Sequence, residues 1–251
     1  MEGISVLGTS ISIIESYEEA YKSLKQIFKT SSYVTVNNVH TVVLGVRDGR
    51  YRGALNDSAM SLPDGKPLSV VARLKGEKKI ARIFGPTFME KAIEWGQEDG
   101  LKHFFFGSSN ETLDRMLNNI KEKYPRALVV GSYSPPYKRV FSDEENQSFF
   151  GSMNKSGADV FWISLGAPKQ EMWMYENYHK LNRGVMIGIG AGFDYLAGKT
   201  KHAPEWMKNF ALEWLYRLIQ EPGRLWKRYL ITNSLFIWYA SLELTGLRRF
   251  D

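Results

Sequence analysis

The chain has 251 residues, 43% of them hydrophobic and 24% charged, which suits a soluble globular fold of one large domain or of a domain plus an appendage. It contains no cysteine, which excludes disulfides, thiolate metal sites and cysteine nucleophiles and fits a reducing cytosol. The formal net charge is +6; nine Lys/Arg against five acidic residues lie between Lys199 and Asp251, beside four of the seven tryptophans, so a basic, aromatic-rich end points to an anionic partner.

Met1-Glu2-Gly3-Ile4 lacks a basic region followed by an apolar core, so no signal peptide is expected. No window offers about 20 uncharged apolar residues. In chain order, Tyr33–Val36, Ala59–Leu62, Ala81–Phe84, His103–Phe106, Ala127–Val130, Asp159–Leu165 and Gly184–Ile189 read as strands. Glu18–Phe28, Val39–Val46, Pro67–Lys75, Pro86–Glu98, Glu111–Lys123, Asp143–Lys155 and Gln170–Leu181 read as helices. Asn110 is the expected cap of Glu111–Lys123, and Ser142 with Glu145 makes a capping-box pattern. The alternation predicts an α/β fold with a mostly parallel sheet and helices on both faces. Phe104-Phe105-Phe106, apolar throughout, suits a central strand.

Past Ala203-Pro204 the alternation stops. Glu205–Gln220 reads as one helix with Phe210, Trp214, Leu215 and Leu218 on one side. Pro222 interrupts, and residues 224–247 read as a second helix. These features divide the chain near Ala203, into 1–203 and a helical appendage, 204–251.

Parallel sheets bind ligands in the crevice past the C-terminal ends of their strands. The unusual polar residues of this chain fall there. Thr35-Val36-Asn37-Asn38 offers a hydroxyl and two amides to sugar hydroxyls, or simply a helix cap at Asn38. Leu62-Pro63-Asp64-Gly65 is an ordinary turn or a carboxylate held as a general base. Arg82-Ile83-Phe84-Gly85-Pro86 brings an arginine to a strand-to-helix turn. Phe106-Gly107-Ser108-Ser109 presents backbone N–H groups suited to phosphate, and Val130-Gly131-Ser132-Tyr133 follows the next strand.

The stretch Ile163–Glu171, Ile-Ser-Leu-Gly-Ala-Pro-Lys-Gln-Glu, turns at Gly166 into a helix with Pro168 in its first turn. Lys169 and Gln170 then project into the crevice, unless this is a plain turn with a solvated Lys-Gln-Glu. Gly188-Ile189-Gly190-Ala191-Gly192-Phe193-Asp194 is half of a dinucleotide fingerprint and lacks the G-x-G-x-x-G spacing. His40, His103, His179 and His202 are scattered and no Asp-x-Asp occurs, so no metal site is expected.

Taken together, these residues resemble the WecG/TagA/CpsF family of bacterial glycosyltransferases over roughly residues 4–232. The resemblance is carried by Thr35-x-Asn37, Pro63-Asp64-Gly65, Arg82-x-x-Gly85, Gly166-x-Pro168-Lys169-Gln170-Glu171 and Gly190-x-Gly192-Phe193-Asp194. Ala203-Pro204-x-Trp206, Glu213-Trp214-Leu215-Tyr216-Arg217 and Glu221-Pro222-x-Arg224 complete it. One departure is Ser132-Tyr133-Ser134-Pro135, where the family often has an aromatic Gly-Tyr-Phe element.

The resemblance implies a Rossmann-like catalytic domain and a membrane-targeting appendage. It implies inverting transfer of a hexose, N-acetylmannosamine-type or related, from a UDP-sugar to a polyprenyl-diphosphate-linked sugar, in cell-wall or exopolysaccharide biosynthesis. No cofactor or metal is implied. The implied place is cytoplasmic, peripheral on the inner face of the cell membrane. Asp64 matches the family's base, and Thr35, Asn37, Arg82 and Gln170 match active-site positions. Arg217, Arg224 and Lys227 match a basic cluster for diphosphate, joined here by Arg228. Asn38, Gly107, Gly131, Tyr133, Gly166, Lys169, Glu171, Gly190 and Asp194 complete the expected substrate-binding set. The expected partners are the nucleotide-sugar donor, the lipid-linked acceptor and an anionic membrane surface, not nucleic acid; a homo-oligomer is left open.

Chemistry agrees: an inverting transfer needs a base for the acceptor hydroxyl and positive charge on the leaving diphosphate. Two competing functions are a basic nucleic-acid-binding protein and a nucleotide-dependent oxidoreductase. The first is opposed by basic residues that share their helices with Leu-Trp-Tyr faces, the second by the broken glycine fingerprint.

Overall fold

The computed structural model describes residues 2–204, 206–207 and 212–250. The expected helix start at Glu205 and the place of Phe210 on its apolar side lie outside the described residues. The chain opens with β1 (Gly3–Val6) and β2 (Thr9–Ser12), followed by α1 (Tyr17–Ile27), β3 (Ser32–Asn37), α2 (Val39–Arg47), α3 (Gly49–Asn56) and β4 (Met60–Pro63). Next come α4 (Lys66–Leu74), α5 (Gly85–Asp99), β5 (Lys102–Gly107), α6 (Asn110–Lys123), β6 (Leu128–Tyr133) and α7 (Asp143–Ser156). The last described elements are β7 (Val160–Ser164), α8 (Lys169–Asn177), a 3-10 turn (Tyr178–Lys180), β8 (Val185–Gly188), α9 (Gly192–Leu196), α10 (Glu213–Gln220) and α11 (Pro222–Leu244).

Six strands form one sheet in the order β4-β3-β8-β7-β5-β6, every pairing parallel. This is the α/β fold expected from the alternation. Side chains along each strand alternate between two cores. Val34, Phe105, Trp162 and Ile187 join one with Phe88 and Phe193; Tyr33, Phe104, Phe106, Phe161, Ile163 and Met186 join the other with Phe149 and Trp173. Burial on both faces is why these strands read as unbroken apolar runs. A third core lies under the β1–β2 hairpin, where Val6, Leu7, Ile11, Val42, Leu68 and Ile80 meet Phe236, Ala240 and Phe250. The far end of α11 is therefore packed on the α/β body.

Several expectations are corrected. Ala81–Phe84 is an extended link and not a strand: Ala81 N–H donates to Ile14 C=O (2.7 Å) and Ile83 N–H to Pro63 C=O (2.8 Å). The chain must turn into α5 at Gly85, which leaves too short a run for a ladder. The cap of α6 is Ser109, whose Oγ accepts from Thr112 N–H, and Asn110 is the first helical residue. The Ser142–Glu145 capping box forms as read. Pro168 stands just before α8 and Lys169 begins it. Leu212 is not helical and Glu221 separates α10 from α11, so 205–220 is not one continuous helix.

Candidate active site

β3, β4, β5, β7 and β8 end along one edge of the sheet, and the crevice is built from those ends. On β3, Thr35 and Asn37 are both fully buried. Asn37 Nδ2 donates to Thr35 Oγ1 (2.9 Å) and Ser61 Oγ (2.8 Å), and Thr35 Oγ1 lies 3.1 Å from Ser58 Oγ. Asn37 Oδ1 is buried and has no protein hydrogen-bond partner. Asn38 caps α2, its Oδ1 accepting from the N–H groups of His40 (3.0 Å) and Thr41 (3.3 Å). The Asn37 carbonyl accepts from Asp64 N–H (2.8 Å) and Gly65 N–H (3.3 Å), which fixes the turn after β4 against β3.

At the other side, Gln170 joins the ends of β7 and β8. Its Oε1 accepts from Gly166 N–H (3.2 Å) and Gly190 N–H (3.1 Å), and its Nε2 donates to Glu171 Oε1 (2.8 Å). Glu171 is buried beneath, and burial lifts its carboxyl above the usual carboxylate range against the pull of the Gln170 bond. Gly107 has φ +123°, and a Cβ there would come within 2.2 Å of Ser164 O, so only glycine lets the ends of β5 and β7 approach. Lys169 Nζ donates to Lys138 C=O and stands 3.8 Å from the Phe141 ring centroid. Tyr133 stacks on Phe106 with ring centroids 5.9 Å apart. Gly131 lies within β6 opposite Phe104, because the strand runs on to Tyr133, past the end expected at Val130.

Asp64 stands where these ends meet the C-terminal helices. Its Oδ1 accepts from Gly85 N–H (2.8 Å), and its carbonyl accepts from Arg82 Nε (2.7 Å). The Arg82 guanidinium lies 4.8 Å from the Phe84 ring centroid and ion-pairs with Glu213, the first residue of α10. One turn on, Arg217 lies 5.6 Å from the Tyr195 ring centroid, and Tyr195 packs on Phe84 (5.6 Å) and His202 (4.7 Å). Part of the Asp64 surface stays accessible, yet the residue is set deep in the crevice. Burial raises its carboxyl above the usual range; Arg82, the Gly85 N–H and Arg217 oppose the rise, and Glu213 adds to it. Burial also raises the nearby Asp194, against Arg224, Arg217 and Lys199. Asp194 lines a cavity of about 360 Å³ with Lys199, Thr200, Gln220 and Glu221.

The basic residues are less unified than their spacing suggests. Arg217 is on α10 and Arg224 on α11, and both pair with Glu221 between the helices. Arg228 faces His40 at the start of α2, where burial, with Arg228 adding, lowers the imidazole to about 4. Lys227 is exposed, its Nζ 5.4 Å from the Trp226 ring centroid. Among the described residues, no three His, Asp or Glu side chains form a group able to hold a metal ion.

The order of these motifs is matched by a family model, the glycosyl transferase WecG/TagA/CpsF family, over residues 4–249. The chain belongs to this family. Among its relatives is the N-acetylglucosaminyldiphosphoundecaprenol N-acetyl-beta-D-mannosaminyltransferase of Bacillus subtilis (strain 168), 28% identical over 202 residues, which cover 80% of this chain and 76% of the relative. The protein of the same name from Bacillus spizizenii (strain ATCC 23059 / NRRL B-14472 / W23) is 26% identical over 199 residues, covering 79% and 75%. As a WecG/TagA/CpsF member the chain is a glycosyltransferase. Sequence reasoning gave no role to Ser58, Ser61, Tyr195 or Glu213. Glu213 stands in one of the motifs, but its pairing with Arg82 crosses about half of the chain and leaves no local periodicity to read.

Proposed function

We propose that this glycosyltransferase carries an N-acetylmannosamine-type hexose from a UDP-sugar to a polyprenyl-diphosphate-linked sugar, with inversion, in cell-wall or exopolysaccharide biosynthesis. The observation that carries this reading is Asp64, a carboxylate of raised proton affinity fixed at the strand edge by Gly85 N–H and faced by Arg82 and Arg217. In the proposed reaction the acceptor hydroxyl oxygen attacks the anomeric carbon as Asp64 takes its proton. The bond from that carbon to the donor diphosphate breaks, and UDP leaves with the electron pair. A base placed this way is typically worth about a hundred- to ten-thousand-fold. Arg217 and Arg224, which meet at Glu221, neutralise the diphosphate, each well-aimed donor worth roughly a hundred- to a thousand-fold. The unpartnered Asn37 Oδ1 and the backbone at Gly107, Gly166 and Gly190 line the substrate side.

Residues 1–203 form the catalytic domain in this reading and 204–251 the appendage, which also meets the inner membrane face. Among the described residues, no helix is long and apolar enough to cross a membrane. α11 instead exposes Trp226, Leu230, Ile237 and Trp238, beside Lys227 and with Arg248 and Arg249 beyond its end. Such a face suits reversible, salt-sensitive binding to anionic lipid. The names of the Bacillus relatives make N-acetylmannosamine the donor sugar and a diphosphate-lipid-linked N-acetylglucosamine the acceptor to try first. The test is a screen of UDP-sugars against that acceptor, with and without EDTA. Turnover of UDP-N-acetylmannosamine that survives EDTA is expected. Turnover of no UDP-sugar, or EDTA loss restored by magnesium, would overturn the reading in its substrate or its metal-free part respectively.

A further inference from the structure

We infer that Glu213 is a positioning residue for the Asp64 base, joining the C-terminal helices to the catalytic turn through Arg82. The inference rests on the reading of Asp64 as the base. Its geometry is a row of three groups. Asp64 gives its carbonyl to Arg82 Nε (2.7 Å), and Arg82 gives its guanidinium to Glu213. Both members of the ion pair are shielded, with side chains 20% and 14% exposed for Arg82 and Glu213, so water screens the pair less than a surface bridge. Arg82 cannot leave Asp64 without abandoning Glu213, and α10 cannot lift without releasing Arg82.

The chemical need is specific. A guanidinium beside a carboxylate stabilises its charged form and weakens it as a base. Arg82 is placed to do that to Asp64, and Glu213 is placed to offset it. The titratable and charged groups around Asp64 are Arg82 on the link before α5, Glu213 and Arg217 on α10, Tyr17 on α1 and Tyr195 on α9. Of these, Glu213 is the carboxylate, and its charge raises Asp64 while Arg82 and Arg217 lower it. Burial does most to raise the proton affinity of Asp64, and Glu213 adds to it while α10 is seated.

The test is the pH profile of kcat/KM with UDP-N-acetylmannosamine and the diphosphate-linked N-acetylglucosamine acceptor. Activity falls on the acid side as the base becomes protonated. In Glu213→Gln the acid limb is expected to move down by about one pH unit, because a like charge beside Asp64 is gone. The plateau is expected to fall roughly tenfold, because a weaker base takes the proton less well. Glu213→Asp, which keeps the charge, is expected to restore the limb. Glu213→Ser serves as a second uncharged variant. An acid limb that coincides with wild type in a folded uncharged variant would overturn the inference, as would failure of both uncharged variants to fold, since the pair would then be a folding contact. Asp64→Asn in the same assay separates the two claims. If it keeps full turnover, the base assignment fails; if it is inactive while Glu213→Gln is unshifted, only the role of Glu213 fails.

Discussion

Replacing the Asp64 carboxylate by an amide separates its chemistry from its cost to the fold. Unfolded, the group titrates near 3.8, and in the folded protein it titrates higher because it is buried. Between those two values the folded state holds more protons than the unfolded one, so this group's contribution to stability falls as pH rises through the folded value. Asp64→Asn keeps an oxygen for the Gly85 N–H and removes the buried charge. Its expected profile is a loss of turnover of roughly a hundred- to ten-thousand-fold with a Tm above wild type at neutral pH. Melts repeated below pH 3.8 should show that gain vanish; a Tm lowered at pH 7 would contradict the sign. Gln170 poses the opposite case. Its buried side chain ties together the N–H groups of Gly166, which is exposed, and Gly190, which is half-buried and also reaches Ile163 C=O, and Gln170→Ala removes both bonds. A cost of about 2 kcal/mol, the net worth of two hydrogen bonds, is expected, read by urea unfolding. A variant of wild-type stability would show that water or substrate normally satisfies Gly166 and Gly190.

At the scale of elements, α11 has two faces with different fates. Phe236 and Ala240 are buried in the third core, while Trp226, Leu230 and Trp238 are exposed. Phe236→Ala is expected to cost about 3–5 kcal/mol. Trp238→Ala should cost less than about 0.5 kcal/mol and yet weaken binding to anionic vesicles in a flotation assay. Equal vesicle binding by wild type and Trp238→Ala would remove that face from the membrane. The sheet strands were legible as unbroken apolar runs and most helices by periodic burial: Phe104-Phe105-Phe106 reads as a central strand since both sides of it meet cores. The β1–β2 hairpin was not legible, because its turn is made by Leu7 (φ 52°) and Gly8 (φ 76°), a pair with no strong turn signature on the leucine side. α3 was hidden by its length: Tyr51, Ala54 and Leu55 stand at i, i+3 and i+4, but eight residues that include Gly49 and Gly53 give only one such set. In the site, Asp64, Arg82 and Gln170 were found as motif residues. Their partners were not, since Glu213 and Ser61 come from elements that only the fold brings near.

At the scale of the whole molecule, the turn after β4 is tied to the C-terminal helices through Arg82 and Glu213. Arg217 reaches Tyr195 and shares Glu221 with Arg224. The double variant Arg217→Ala, Arg224→Ala is expected to lower transfer by roughly a hundredfold or more while the protein still melts cooperatively. Truncation after Ala203 is expected to abolish transfer as well, but also to strip Phe236, Ala240 and Phe250 from the third core. Dye binding to exposed apolar surface should therefore rise in the truncated protein and not in the double variant. Dye binding unchanged by truncation would mean that the hairpin side closes by itself.

That third core also has a consequence for synthesis. The Leu7 N–H faces both Glu243 carboxylate oxygens at 3.2 Å, and Arg52 Nη1 donates to Phe250 C=O at 3.2 Å. Val6, Leu7 and Ile11 leave the ribosome long before residues 236–250, which complete the cover begun by Val42, Leu68 and Ile80. The sheet can assemble on the nascent chain as β8 emerges, but the hairpin waits with part of its apolar side open. The interval is one in which a holding chaperone would find its substrate.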